Sequence, residues 1–191
     1  MNSVTWTGGA TDNWFDPANW AGGAVPDLGN VANVVIPSGK TVSFGSTVVS
    51  PAVAGTVLVD SINASGSQLG SLSISAGTLQ VGSGGANLYS LTQTGGAMSV
   101  VGNLGVTGNF SQTASGSLQV SGNATLSDAT GGTEFGGTTV GGNLSVNSTG
   151  GDITQVAATS LSVTGSTSLT ARNGAARSEE HTSELQSLTT I

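Results

Sequence analysis

One frame recurs four times in this chain, and that recurrence restricts its fold more than any other feature. The copies are Met98-Ser-Val-Val-Gly-Asn-Leu-Gly-Val106, Leu118-Gln-Val-Ser-Gly-Asn-Ala-Thr-Leu126, Thr138-Thr-Val-Gly-Gly-Asn-Leu-Ser-Val146 and Leu161-Ser-Val-Thr-Gly-Ser-Thr-Ser-Leu169. Their first residues lie 20, 20 and 23 positions apart. Each copy carries a glycine, at Gly102, Gly122, Gly142 and Gly165, and the first three follow it with Asn103, Asn123 and Asn143. A short fixed period marks a solenoid. The apolar residues alternate with Ser, Thr and Gln, which is the period of a strand with one buried face. The spacing therefore predicts an all-β chain, a right-handed parallel β-helix of about 20 residues per coil.

Several expectations follow from that frame. Leu118 should stack on Met98 and Val120 on Val100. The asparagines should form a ladder, amide on amide, as in stacked strands. The glycines should end each strand by supplying backbone angles closed to other residues. The three extra residues before Leu161 should bulge at Asn147–Asp152, where Gly150 and Gly151 permit a turn. Gln93, Gln112 and Gln155 precede three copies by five or six residues, and read as a second ladder. Upstream, Val34, Val35, Ile36, Val42, Val48, Val49, Val57, Leu58, Val59, Leu72, Ile74, Leu79 and Val81 read as less regular rungs. The organisation is then an aromatic capping segment over 1–30, coils over 31–171 and a tail over 172–191.

Composition narrows the function. Lys and Arg total 3, so no basic surface exists to hold nucleic acid. Cys is absent, which removes disulfides and thiolate metal sites. No apolar run reaches the length of a membrane span. Met1-Asn2-Ser3 opens without the basic and apolar regions of an export signal. No cofactor motif is present.

All three tryptophans, Trp6, Trp14 and Trp20, fall in the first twenty residues among turn formers. A solenoid needs its open end covered, so these rings read first as a cap. Two other readings stay open. Exposed rings with Asp12 and Asp16 could bind a sugar, or the two carboxylates could hold calcium. An enzyme would need carboxylates from adjacent coils in one column. Asp60, Asp128, Glu134 and Asp152 are 68, 6 and 18 positions apart and do not meet that test, so no catalysis is expected; Asp128 and Asp152 read as loop residues.

The stretch Trp6-Thr-Gly-Gly with Asn13-Trp-Phe-Asp-Pro-Ala-Asn-Trp20, then Pro26-Asp27 and Val34-Val-Ile36, resembles the start of β-helical surface proteins. Autotransporter passengers and filamentous-haemagglutinin-like adhesins of Gram-negative bacteria carry such segments. Gly151-Asp-Ile-Thr-Gln155 and the copy from Leu161 are similar to haemagglutinin repeats. The resemblance implies a surface-exposed or secreted adhesive passenger, an outer-membrane transporter elsewhere, and cell-surface glycans or proteins as partners. The tail is different: Arg177-Ser-Glu-Glu-His-Thr-Ser-Glu-Leu-Gln-Ser187 resembles a translated sequencing-library adapter. His181, the single histidine, falls within it, so residues 177–191 are set apart from the fold.

Overall fold

The computed structural model describes residues 3–8, 12–27, 33–45, 56–64, 69–129 and 131–171. Val48, Val49 and the tail from Arg172 lie outside them. The described chain is a parallel β-solenoid, and every strand pairing is parallel. The strands make a 12-stranded and a 6-stranded sheet. The larger sheet turns a corner, because strands Thr56–Ile62 and Thr78–Leu88 run round it unbroken, the first with a register shift between Val59 and Ser61. Each coil thus has three faces.

The first face stacks Val57, Leu79, Met98, Leu118, Thr138 and Leu161 in one inward column, and Val59, Val81, Val100, Val120, Val140 and Val163 in the next. The second stacks Val4, Val34, Ile62, Ala86, Leu104, Ala124, Leu144 and Thr167, beside Leu88, Val106, Leu126, Val146 and Leu169. The third carries Val42, Leu72, Leu91 and Phe110, beside Phe44, Ile74, Gln93 and Gln112. In the next coil the sizes change over: Thr133 follows Phe110, and Phe135 follows Gln112. The two rings pack across the columns at 5.3 Å. A small residue in one column makes room for a large one in its neighbour, which keeps the interior filled.

The corner between the first two faces explains the repeated Gly-Asn. None of Gly102, Gly122, Gly142 and Gly165 has a positive φ. Their role is close approach instead. A Cβ at Gly122 would lie 2.5 Å from the Gly102 carbonyl oxygen, and one at Gly165 would lie 2.6 Å from that of Gly142. The Gly122 N–H donates to the Gly102 carbonyl at 3.2 Å, and Gly142 to Gly122 at 3.0 Å. The asparagine ladder also differs from amide-on-amide stacking. The Asn103 side-chain oxygen accepts from the Asn123 backbone N–H at 2.9 Å. Asn123 does the same for Asn143 at 2.8 Å, and Asn143 for Ser166 at 2.9 Å. Each amide oxygen reaches one coil onward to a backbone donor that the corner would otherwise leave to water.

The extra three residues are not where the sequence suggested. Ser148 still pairs with Asp128, and Gln155 with Phe135, both 20 apart. The offset becomes 23 at Leu161 against Thr138. The insertion is therefore the turn at Val156–Ser160, where Ala158 has φ +60° and the Thr159 N–H and hydroxyl both donate to the Val156 carbonyl.

The first residues form the terminal coil itself. Ser3–Thr5 pairs with Asn33–Val35, and Asn13 bridges to Ser43, which sets Trp14 over Phe44.

Two deletions and two substitutions check this architecture. Deleting Leu118–Gly137 removes one whole coil, so the shortened chain should unfold cooperatively by circular dichroism and lose about 4.8 Å of length in small-angle scattering. Deleting ten of those residues should abolish folding, because the strands would present their polar face inward. Gly122→Ala should cost about 1–3 kcal/mol in denaturant melts, as an overpacked site does. Gly137→Ala should be near neutral, since its Cβ would meet nothing closer than 3.5 Å.

Candidate functional site

The tryptophan cluster is interior. Trp6, Trp14 and Trp20 are 4, 0 and 2% exposed. Trp20 sits edge-on to both others, at 4.9 Å from Trp6 and 5.0 Å from Trp14. Its indole N–H donates to the Trp14 carbonyl at 2.7 Å. The Asn19 amide donates to the Asn13 carbonyl at 2.9 Å, and Trp6 and Trp20 form an antiparallel bridge. Sugar stacking needs a ring face open to solvent, and these rings offer none. Asp12 and Asp16 are occupied in local structure: Asp12 accepts from the Ser43 hydroxyl at 2.7 Å, and Asp16 caps the short turn Pro17–Asn19 by accepting from the Ala18 N–H at 3.0 Å. The glycan reading of Trp6, Trp14, Trp20, Asp12 and Asp16 therefore lacks a surface to rest on. Among the described residues no group of three or more His, Cys, Asp or Glu could hold a metal.

The glutamines part company. Gln93 and Gln112 are fully buried and adjacent in one column. The Gln112 amide donates to Gln93 Oε1 at 2.9 Å, and Gln93 donates to the Ser117 carbonyl at 2.7 Å. Gln112 Oε1 accepts from the Gly136 N–H at 3.1 Å and from the Thr138 hydroxyl. Buried amides are mostly paired in this way, and here the pairing fixes the corner. Gln155 does not join them, because Phe135 lies between; it donates instead to the Thr159 carbonyl of its own turn at 2.7 Å. Asn63 lies outside the repeated frame, so no repeat marks it. It is buried at φ +51° and ties three coils, accepting from the Ile36 N–H at 2.8 Å and donating to the Asn87 carbonyl at 2.9 Å.

The acidic residues separate by facing. Asp128 is not a loop residue: it ends strand Ala124–Asp128, points inward and accepts from the Gly131 N–H at 3.0 Å. Asp60 lies on another face, against Gly82. Glu134 and Asp152 come together. Both are exposed and line an open depression of about 480 Å³ with Asn109, Ser111, Gly132 and Thr154. Glu134 is in register with Ser111 and Thr154 across the third face. Asp152 lies against Gly132, two positions from Glu134's own row. They still do not share a column: Glu134 pairs with Thr154, 20 positions on, so Asp152 at 18 falls two short.

Residues 122–176 match a family model described as repeats of unknown function (DUF5649), which covers well under half of the chain. No curated protein and no solved structure matches it. The match is in keeping with a repeat β-helical protein.

The cluster predicts a stability effect. Trp14→Ala should lower stability by about 3–5 kcal/mol, as large aromatic truncations do. Loss of the thermal transition's cooperativity at its N-terminal end, read by hydrogen exchange at Val34 and Phe44, checks it.

Proposed function

We propose that this chain is a structural segment of a secreted or surface-exposed bacterial passenger, a rigid non-catalytic stalk that carries an adhesive surface. The observation that carries this reading is the continuous rung-to-rung pairing from Val4 to Thr167. Eight stacked strands at about 4.8 Å per step make a rod of roughly 34 Å. Its cohesion is the sum of neighbour contacts, so length can be added coil by coil without redesign. The outward positions are Ser, Thr, Gln, Asn and Gly with few charges, a surface suited to passing unfolded across an envelope and folding outside. The match to a repeat family and the N-terminal resemblance to haemagglutinin-like passengers support the same reading. Partners on this reading are glycans or proteins of another cell's surface, reached through an outer-membrane transporter.

Surface labelling tests it. In cells that make a protein carrying these coils, antibodies to the folded coils should label intact cells, and proteinase K should remove the label. Label that is seen only after permeabilisation would end the proposal.

A further inference from the structure

The corner between the second and third faces carries the described residues' one strongly exposed aromatic ring. Tyr89 is 50% exposed. Its ring lies over Gly108: a Cβ there would sit 3.0 Å from Cζ and 3.1 Å from Cε1. The ring tip is thus held against backbone while half of the side chain stays open to water. The next coil along the same corner presents Asn109, beside Gly131 of the coil after it. Then come Gly132 and Glu134, and then Gly151, Asp152 and Thr154. From Tyr89 to Asp152 is three coil steps, about 14 Å. The glycines are forced by contact with neighbouring coils, as at Gly132, whose Cβ would meet the Asp152 carbonyl at 2.7 Å. They leave the depression open. No side-chain hydrogen bond engages Glu134 or Asp152 among the described residues.

The geometry points to a binding site for a neutral glycan, laid along the helix axis from Tyr89 to Asp152. A pyranose ring stacks its C–H face on an aromatic ring that is open on one side. Its hydroxyls donate to carboxylates, which are acceptors only when ionised. A glycan unit in an extended chain is about as long as one coil is tall, so successive sugars meet successive coils. Charge selects against acidic chains. The one Lys or Arg among the described residues is Lys40, which is in register with Gly70, two coils before Tyr89 and away from the carboxylates. This site is separate from the tryptophan cluster. It also does not depend on the stalk reading, which fails or stands on surface labelling alone.

The test is an array of immobilised neutral hexasaccharides (cello-, malto-, manno- and β-1,3-gluco-oligomers) beside heparin and polygalacturonate hexasaccharides, followed by calorimetry. At least one neutral oligomer should bind in preference to the acidic ones. Tyr89→Ala should weaken it tenfold or more, and Tyr89→Phe no more than twofold. Tyr89→Leu, which keeps apolar bulk over Gly108, should lose binding while leaving the melting curve unchanged. Glu134→Gln with Asp152→Asn should weaken it severalfold. Absence of neutral binding, preference for acidic oligomers, or indifference to Tyr89→Leu would overturn the assignment. So would calcium binding without sugar that the Glu134 and Asp152 changes abolish, since that would make the depression a cation site.

Discussion

Vertical hydrogen bonding between identical levels of the chain sets everything else in this molecule. Parallel strands must approach to about 4.8 Å and remain there along their length. On the flat faces that spacing comes without special residues. At a corner the backbone turns, and the same spacing brings carbonyl oxygens against the α-carbons of the next coil. The Gly102, Gly122, Gly142 and Gly165 stack is the answer to that crowding. The asparagine after each glycine then supplies an acceptor to the coil beyond it. Gly-Asn is therefore one device with two parts, one steric and one polar.

Because the constraint acts on strands, the connections between them are free to vary. Successive third-face strands are 19, 23 and 20 residues apart, while the first face keeps 20, 20 and 23. The differences are absorbed at the corners after Asp128, Phe135 and Gln155. Near the N-terminus the spacing widens to 30 between Val4 and Val34 and between Val42 and Leu72, yet the columns continue. Loop closure grows costlier only slowly with length, which is why such insertions leave the stack intact.

This division explains which parts of the fold could be read from the sequence. The first two faces and their corner are legible because Met98–Val106 and its copies contain both strands and the glycine between them. Leu118 does stack on Met98 and Val120 on Val100. The third face is nearly invisible. Its inner positions run Phe110, Thr133, Ile153 and Gln112, Phe135, Gln155, so neither column keeps one residue type from coil to coil. Its offset also drifts with the loops. Subtraction places Asp152 two positions short of Glu134's partner Thr154; what it misses is that this offset still leaves both carboxylates on one outward face. The repeat marks the glycine positions but not their cause, since a sequence does not distinguish a glycine needed for φ from one needed for clearance. The tryptophans read as a cap by position alone; in the structure they belong to a coil in which Trp14 packs over Phe44 and Val4 over Val34.

A stack this regular has a register problem. The column Val59, Val81, Val100, Val120, Val140, Val163 would accept any of its levels beside any other. Apolar burial alone cannot tell a correct coil from one displaced by a full turn. The buried amides can. Gln93 and Gln112 satisfy one another and the corner groups of Gly136 and Thr138. Moving either level by one coil would part the two amides and leave the Gln112 donor without Gln93, and an unmet buried group costs about 1–3 kcal/mol. The exchange of Phe110 and Thr133 with Gln112 and Phe135 acts in the same sense through volume. The irregular third face, which contributes least to the visible repeat, is thus what makes the repeat stack in a single order.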